Sequence, residues 1–513
     1  MIQKLTIIKK RNSFWIHGWT DPKGSDRFHC TSYNLYKTIC DTYNIRWKKY
    51  QSTLELYDKS QKLLKLPLGY GIDKITKHLE ESNHDIVYKI EDHSMECIDY
   101  DLIDCKLRDG FAPRNDIQRD AINFLMSCKD GEYVEGKGYQ LFLTLLTGGG
   151  KTFCAIYSAI KLRLPTIIIS YNLSEQWKEK LLEYVELEEK DIYEIKGKDS
   201  ILNLFEDEKT YPFYIASIST LRVLMEHYKN LNILLSKMRV GLTIFDEAHM
   251  HYKSISQILV NSDTRFTFFL SATPNRSNYT ENKVFLNLFD KVPMHGVYTH
   301  NLNNHSKIRF IKYNTYPTQQ ERRFCETSRG FSAINYYKYL FSSEEKTLLI
   351  VGMIKYFADQ ILNLHPDKKI LVFIPTLDFM HYVYKFLKKY RLNYTIGEYN
   401  SNVYSVDKRE KELDKNLILT TIAACSTGKD IPNLKAIFSL TPFSSPVITR
   451  QILGRLRKLE DSDSYFYDFT DTGFAKCSSQ CNIRTQLLKQ LSSSMTTKTI
   501  ESEDMILYLK ENL

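Results

Sequence analysis

Two separated segments carry residue types that suit the binding and cleavage of a nucleoside triphosphate. The first is a glycine-rich turn after an apolar run, Thr147-Gly148-Gly149-Gly150-Lys151-Thr152. The second, Ile244-Phe245-Asp246-Glu247-Ala248-His249, ends a β-like run in a pair of carboxylates. Gly-rich turns are common by chance, but both segments in this order, each after a β-type run, indicate a phosphate site.

The residue types predict how the nucleotide is held. Backbone N–H groups of the glycine turn surround the phosphates, Lys151 brings a positive charge to the outer phosphates, and the Thr152 hydroxyl binds Mg²⁺. Asp246 is suited to hold the same Mg²⁺, and Glu247 to polarise an attacking water. The predicted cofactors are therefore ATP and Mg²⁺.

Two segments of the second half of the chain could complete this chemistry. Ser426-Thr427-Gly428-Lys429-Asp430 follows a β-like run, and Gln451-Ile452-Leu453-Gly454-Arg455-Leu456-Arg457-Lys458 comes later. An arginine presented to the γ-phosphate stabilises negative charge in the transition state. The position of Arg455 after Gln451 and Gly454 favours this role over that of a solvated helix arginine. Such a site is complete only when the two halves meet.

Composition limits the class of protein. The chain has 513 residues, 43% hydrophobic and 26% charged, which suggests about three domains at roughly 150 residues each. No apolar run approaches the roughly 18 residues that a membrane span needs. The N-terminus has no signal-peptide pattern, so we expect a cytoplasmic protein, in the host cell if the source is a phage or virus. Ten scattered cysteines suit a reducing compartment, and the isolated pair Cys477 and Cys481 does not predict a zinc site.

The net charge of +9 is concentrated near the N-terminus. Residues 1–66 hold 13 Lys/Arg against 5 Asp/Glu, together with Trp15, Trp19 and Trp47. Basic residues between aromatic residues suit phosphate contact and base stacking. An ordinary small domain with an aromatic core and solvated lysines has the same composition, so composition alone leaves both interpretations open.

The hydrophobic pattern predicts five regions: a small basic α+β domain over residues 1–104, an α/β domain over 105–300, a connecting insertion over 301–345, a second α/β domain over 346–491 and a tail over 492–513. In both α/β regions, short apolar runs alternate with helical stretches. This alternation is typical of right-handed βαβ units and a parallel sheet covered on both faces. We expect the N-terminal domain to be separable, because each α/β domain has residues for its own core.

Further segments resemble the motifs of superfamily 2 helicases and translocases, in order over about residues 111–470. Pro113-Arg114-Asn115-Asp116-Ile117-Gln118 is similar to the adenine-reading motif, and Ser271-Ala272-Thr273-Pro274 to the motif that links the ATP state to the grip on nucleic acid. Segments 168–177 and 217–220 resemble the two strand-contacting motifs, and 373–375 the fourth motif. The resemblance implies two tandem RecA-like parallel-sheet motor domains. It assigns Arg114, Gln118 and Asp430 to nucleotide binding, and His249, Ser271, Ala272, Thr273 and Gln451 to coupling.

Within the superfamily, the sequence is most similar to the UvsW and XPB branch, especially phage or viral members. The residues that carry this resemblance are 270–276, 454–457 and 467–474, with a weaker match at 54–69. The resemblance implies ATP-driven movement on duplex, forked or branched DNA, or on RNA–DNA hybrids, in replication, recombination or repair. It implies no membrane partner, and it leaves the oligomeric state open.

Three features depart from the family pattern. Ser170-Tyr171 stands where Pro-Thr is usual, and Leu145 replaces the first small residue of the phosphate loop. Lys458 stands where many relatives have a second arginine finger. Because lysine lacks the planar two-pronged donor of arginine, either Arg457 takes that role or Arg455 acts alone.

Other functions stay open. A duplex translocase would displace transcripts or bound proteins without separating strands, and a nuclease complex would use the chain as its motor subunit. We find no nuclease constellation outside the motor motifs. A binding module with an inactive ATP site is disfavoured, because Lys151, Thr152, Asp246, Glu247 and Arg455 are all present.

Overall fold

The structure, a computed structural model, describes the chain in segments. These are residues 3–18, 57–58, 63–81, 86–94, 102–127, 139–145, 148–171, 174–206, 209–228, 231–249, 252–272, 285, 288–290, 292–297, 305–327, 330–400, 406–425, 431–440, 443–459 and 462–511. Several predicted features lie outside the described residues: Trp19, Trp47, Thr147, Thr273, Asp430 and the segment 426–429 that precedes Asp430. The chain divides into two compact units, Met1–Tyr298 and Thr299–Leu513.

The first unit begins with a small mixed sheet, as the α+β prediction requires. Its elements are β1 (Gln3–Lys9), β2 (Ser13–Gly18), β3 (Tyr57–Asp58), β4 (Leu63–Pro67), β5 (Ile86–Asp92) and the helix α1 (Ile72–Glu80). Within the part of the chain that is described, the strand order is β3-β4-β2-β1-β5. β1 and β5 are parallel, and the other pairs are antiparallel.

One face of this small sheet packs on the α/β domain that follows. Leu5 and Ile7 alternate inward on β1, as expected for one buried face, and share an apolar core with Phe245 of the next sheet. A Cβ atom on Gly69 would overlap the backbone carbonyl of Leu288. The core of this sheet is therefore continuous with that of the α/β domain that follows, and the separability of the N-terminal domain stays a prediction.

The rest of the first unit is an α/β domain. Its strands are β6 (Gln140–Leu145), β7 (Thr166–Ser170), β8 (Ile192–Ile195), β9 (Phe213–Ser217), β10 (Leu242–Phe245), β11 (Phe266–Ser271) and β12 (Met294–Val297). Its described α-helices are α2 (Asp116–Met126), α3 (Lys151–Leu162), α4 (Ser174–Tyr184), α5 (Gly197–Glu206), α6 (Ile218–Tyr228), α7 (Leu231–Lys237) and α8 (Tyr252–Val260).

All strand pairs described in this sheet are parallel, in the order β12-β6-β11-β10-β7-β9-β8. Every residue of β6, β7, β10 and β11 is buried. Continuous apolar strands of this kind are typical of a parallel sheet with both faces covered. Because the strands are parallel, the loops after β6, β10 and β11 leave the same edge of the sheet, where ligands bind in open α/β folds.

The second unit contains the second α/β domain. Its sheet strands are β13 (Ser306–Tyr313), β16 (Lys369–Phe373), β17 (Ile396–Tyr399), β18 (Leu417–Thr420), β19 (Leu434–Ser439), β20 (Ser464–Asp471) and β21 (Ser494–Thr499), and β14 (Glu326–Thr327) and β15 (Gly330–Phe331) form a separate short hairpin. Its described α-helices are α9 (Gln319–Cys325), α10 (Ala333–Leu340), α11 (Glu344–Leu362), α12 (Leu377–Leu387), α13 (Val406–Lys411), α14 (Ile422–Cys425), α15 (Pro446–Leu453), α16 (Ala475–Leu488) and α17 (Ser502–Glu511).

This second sheet is also parallel throughout its described pairs, with the order β17-β18-β16-β19-β20-β13-β21. The fold class predicted from the sequence is therefore confirmed: two tandem RecA-like parallel-sheet domains follow a small N-terminal α+β domain. Among the described helices, none has the length and apolar character needed to cross a membrane.

The second sheet extends beyond the predicted boundaries of its domain. β13 lies in the range predicted to be a connecting insertion, yet it pairs with β20 on one side and β21 on the other. β21 and α17 lie in the range predicted to be a tail. Residues 306–313 and 494–511 therefore belong to the second α/β domain, because they complete its sheet and cover its core.

Candidate active site

The phosphate loop leads from β6 directly into α3. Gly148 and Gly150 have φ angles of 84° and 93°, in the left-handed region that favours glycine. Gly150 is the N-cap of α3, and Lys151 is its first residue. The N–H groups at a helix N-terminus and the partial positive charge there favour phosphate. The Lys151 ammonium lies 3.4 Å from the Leu145 carbonyl oxygen at the end of β6.

Gln118 lies against this loop. Its side-chain amide donates to the Gly149 carbonyl at 3.2 Å, and its Oε1 accepts from the Arg114 backbone N–H at 2.9 Å. A Cβ atom on Gly150 would overlap the Gln118 Nε2 atom, so the Gln118 side chain would have to move to admit any other residue. A carboxamide has two donors and two acceptor lone pairs, which leaves one of each. The prediction that Gln118 binds the adenine edge stays a prediction, and this geometry is compatible with it.

Asp246 follows β10, which lies between β7 and β11 in the sheet. Its side chain is 7% exposed. Oδ2 accepts a hydrogen bond of 2.8 Å from Trp177 Nε1, and Oδ1 accepts one of 2.9 Å from the Glu247 backbone N–H. Burial raises the pKa of Asp246 to about 6, and the negative charge of Glu247 adds to this, while Lys151 and the Trp177 hydrogen bond act in the opposite direction.

Glu247 has a strained backbone, and its carboxylate lies beside the buried side chain of His249. Its φ of 47° lies in the left-handed region, which is uncommon for a residue other than glycine. The Glu247 carboxylate lies 3.1 Å from His249 Nδ1. The Ser271 hydroxyl lies 2.8 Å from the same nitrogen. The buried His249 therefore links the carboxylate that follows β10 to the residue that ends β11.

The donor set at this edge fits Mg²⁺ bound with a nucleotide. Mg²⁺ prefers oxygen ligands, keeps several waters, and is commonly held by one or two carboxylates plus substrate phosphates. The buried Asp246 carboxylate and the Thr152 hydroxyl at the start of α3 supply such oxygens. Across the described segments, no group of three or more His, Cys, Asp or Glu residues could hold a metal by itself. When bound, the ion would neutralise phosphate charge.

The predicted arginine residues lie in the second unit, at the end of α15. Gln451 is in the last turn of this helix, and Gly454 is its C-cap. Arg455 is 4% exposed, Arg457 is half-buried and Lys458 is exposed. Lys458 is therefore the most solvated of the three cations, while the choice between Arg455 and Arg457 stays open.

One buried contact in each unit, made by Trp177 in the first and by Arg484 in the second, was not predicted from the sequence. Trp177 was predicted to lie in a strand-contacting segment, but its ring is buried and its N–H donates to Asp246. Arg484 makes a buried ion pair with both carboxylate oxygens of Asp468 and donates to the Phe443 carbonyl, just before α15. Both contacts join distant parts of the sequence, so spacing gives no signal for them.

The structure brings together most of the predicted residues of the first unit. The Gly148–Thr152 loop, Gln118, Asp246, Glu247, His249, Ser271 and Ala272 belong to loops at the carboxyl edge of one sheet or to the helix packed beside it. Lys151 and Asp246 are near enough that the lysine charge affects the pKa of the carboxylate. The catalytic, nucleotide-binding and coupling roles of these residues stay predictions.

Comparison with known proteins agrees with this geometry. The family model described as type III restriction enzyme, res subunit, matches residues 112–276. Transcript termination protein A18 of Yaba monkey tumor virus is 24% identical over 332 residues, which cover 61% of this chain and 64% of that protein. The protein 161L of Invertebrate iridescent virus 6, named as a candidate helicase, is 24% identical over 354 residues, which cover 65% and 73%. This chain thus spans less than two thirds of the first relative.

A solved structure supports the fold. S. cerevisiae Dbp5 bound to RNA and ADP BeF3 aligns with a TM-score of 0.50 at 14% identity, over 77% of this chain and 92% of that chain. At this identity the likeness concerns the fold alone. The tandem parallel sheets, the matched family segment at 112–276 and the ordered motifs agree with one another. This chain is therefore similar to the superfamily 2 helicases and translocases in its ordered motifs, its matched segment and its fold.

Proposed function

We propose that this protein hydrolyses ATP to move along or unwind duplex, forked or branched DNA. The observation that carries the proposal is the arrangement at one sheet edge. There the left-handed glycines and the N-terminus of α3 lie on one side, and the buried Asp246 and neighbouring Glu247 lie on the other. This is the residue set that phosphoryl transfer to water requires.

Each residue has a chemical role in this proposal. The α3 N-terminus and Lys151 bind the phosphates, and Asp246 with Thr152 would hold Mg²⁺. The Glu247 carboxylate accepts a proton from, or orients, the attacking water. His249 and Ser271 connect Glu247 to the end of β11, so a change in Glu247 can be transmitted to that strand. Arg455 or Arg457 stabilises charge in the transition state.

The N-terminal sheet is proposed to contact the nucleic acid. Trp15 on β2 has the ammonium groups of Lys10 and Lys65 at 4.5 and 4.6 Å from its ring centroid. Cations close to an aromatic ring are the residue types that combine phosphate contact with base stacking. The resemblance to the UvsW and XPB branch supports DNA as the partner, in replication, recombination or repair, and RNA–DNA hybrids as a further substrate.

A second candidate function is the displacement of transcripts or bound proteins by movement along duplex DNA. The names of relatives favour it, since the first relative is called a transcript termination protein. Both candidates use the same ATP site. They differ in whether the product is separated strands or a released transcript.

Parallel ATPase and displacement assays test the proposal. ATP turnover is measured with single-stranded DNA, duplex DNA, forked DNA and RNA–DNA hybrid. Forked-strand separation is compared with triplex displacement and with release of RNA from a stalled transcription complex. We expect at least one nucleic acid to raise turnover, and strand separation on forks if the first candidate holds. Triplex or transcript release without strand separation would favour the second, and turnover unaffected by every nucleic acid would refute both.

The proposed role of the N-terminal sheet has its own test. We expect replacement of Lys10 and Lys65 by alanine to weaken DNA binding and to reduce the slope of log affinity against log salt by up to about 2, because each lost phosphate contact releases about one counterion fewer. Lys10 lies in the turn between β1 and β2, and Lys65 lies on β4. Both are half-buried, and Lys65 also donates to Asn261 Oδ1 at 2.7 Å, so ATP turnover without nucleic acid serves as the folding control. An unchanged slope would show that these lysines contact no phosphate and only pack within the protein.

A further inference from the structure

The Trp177 side chain connects the apolar core of the first motor domain to its proposed metal site. Trp177 lies on α4, and its ring is 2% exposed among residues that include Leu181 and Ile168. An indole has one polar atom, a nitrogen that only donates. Here that N–H donates to Asp246 Oδ2 at 2.8 Å. The apolar body of the ring fixes the direction of its single donor.

The Asp246 carboxylate is held at both oxygens. Trp177 donates to Oδ2, while the Glu247 backbone N–H donates to Oδ1 at 2.9 Å. Two donors on different oxygens restrict the rotation of the carboxylate plane. Each carboxylate oxygen can accept about two hydrogen bonds or ligands, so both retain capacity toward a metal ion or its waters. The backbone donor is present whatever the side chains are, and the indole is the donor that a substitution can remove.

We propose that Trp177 is a positioning residue that orients the Asp246 carboxylate toward Mg²⁺. The inference rests on the proposed function, because it assigns Mg²⁺ and nucleotide to this site. It differs from the strand-contacting role implied by the sequence motif around residues 168–177, since the buried ring faces the interior of the motor domain. Partners that orient a metal ligand commonly affect metal affinity by about 10- to 100-fold.

The test compares nucleotide affinity with and without metal. The affinity for a fluorescent ADP is measured in Mg²⁺ and in EDTA for the full-length wild type and for Trp177→Phe. We expect Trp177→Phe to lower the affinity in Mg²⁺ by about tenfold and to leave the affinity in EDTA unchanged. Replacement of Trp177 by 3-benzothienyl-alanine keeps the ring volume and removes only the N–H. This variant should likewise lower the affinity in Mg²⁺ and leave the affinity in EDTA unchanged.

A matched control separates this effect from the loss of any buried hydrogen bond. Tyr214 on β9 is fully buried in the same unit, and its hydroxyl accepts from the Tyr211 N–H at 2.9 Å and donates to the Met238 carbonyl at 3.3 Å. Tyr214→Phe should keep the wild-type ratio of the two affinities. An unchanged ratio in both Trp177 variants, or an equal loss in Mg²⁺ and EDTA, would overturn the inference. Failure of the wild type to bind ADP at all would instead refute the proposed function.

Discussion

Glu247 combines its proposed chemical role with an unfavourable backbone conformation. A φ of 47° costs a residue other than glycine about 1–3 kcal/mol, and such residues concentrate at functional sites. The neighbouring bonds hold it there: its own N–H donates to Asp246, and the Ala248 N–H donates to the Leu270 carbonyl at 2.8 Å. The strain is therefore balanced by contacts on both sides of the residue.

We expect Glu247→Gln to bind ATP and to hydrolyse it at least about 100-fold more slowly, because an amide does not accept the proton of the attacking water. ATP turnover and ADP affinity are measured on the same preparation. Glu179→Gln, on the exposed face of α4, is the control and should keep wild-type turnover. Wild-type turnover in Glu247→Gln would place the base elsewhere.

Alanine substitution of Gly150 tests how closely the glycine loop fits Gln118, and the same substitution at Gly110 is the matched control. Both have left-handed φ angles, but only at Gly150 would a Cβ atom meet a neighbour, the Gln118 amide. Alanine at either position costs about 1–2 kcal/mol of stability for its backbone alone. We expect only Gly150→Ala to reduce ADP affinity, by roughly tenfold, equivalent to about 1.4 kcal/mol. Equal ADP affinities for Gly150→Ala and Gly110→Ala would contradict a close fit of the loop on Gln118.

The choice between Arg455 and Arg457 is a kinetic question. An arginine that acts on the transition state lowers kcat when it is removed, with little change in KM for ATP. We expect Arg455→Ala to reduce kcat by about 10³-fold or more, and Arg457→Ala to have a smaller effect. Steady-state kinetics of both variants test this. A large loss of kcat confined to Arg457→Ala would reverse the assignment.

At the scale of elements, the sequence predicts the buried strands well, but it predicts β13 and β21, at one side of the second sheet, poorly. β7 coincides with an uninterrupted apolar run, and α4 and α11 lie inside the two ranges predicted to be α/β domains or at their border. These elements have apolar runs or periodic faces with clear boundaries. β13 was missed because charged residues alternate along it, and β21 because it is an exposed edge strand without an apolar run.

The candidate site could likewise be predicted only where its residues lie in local sequence motifs. Lys151, Asp246 and Glu247 could be predicted as ATP-site residues because their motifs are local in sequence. The hydrogen bond from Trp177 to Asp246 joins residues 69 positions apart, and it depends on the packing of α4 against the sheet. Such a contact follows from the tertiary structure and leaves no pattern in the spacing of residues.

The C-terminal helix α17 gives an element-scale prediction. Leu509 is 1% exposed and belongs to the core that also contains Ile354 of α11, whereas Leu507, two residues earlier, is 57% exposed. We expect Leu509→Ala to lower the free energy of unfolding by about 2–5 kcal/mol. Leu507→Ala should change it by no more than about 0.5 kcal/mol.

Denaturant unfolding of the two leucine variants measures this difference. Because the second unit contains both helices, the transition that shifts should be the one assigned to that unit, for example by limited proteolysis. Equal free energies of unfolding for the two variants would show that residues 502–511 do not stabilise the second α/β domain and form a tail, as the sequence predicts.

At the scale of the whole molecule, the first unit contains both the basic N-terminal sheet and the candidate ATP site. The buried side chain of Asn12 links the N-terminal sheet to the larger sheet. Its Oδ1 accepts hydrogen bonds from Gln140 on β6 and Thr267 on β11, each at 3.1 Å. The Lys74–Asp290 ion pair, at 3.0 Å, links α1 to the same domain. We infer that a nucleic acid bound by the N-terminal sheet moves with the strands that carry the ATP-site loops.

The central claim is that hydrolysis at the Lys151 site is coupled to nucleic acid. The most direct measurement is ATP turnover, with and without forked DNA, for the wild type, Lys151→Ala and Lys161→Ala, a control on the exposed end of the same helix. We predict stimulation by DNA in the wild type and in Lys161→Ala, and no turnover above background in Lys151→Ala, whose folded state is checked by thermal unfolding. DNA-stimulated turnover in a folded Lys151→Ala protein would contradict the account.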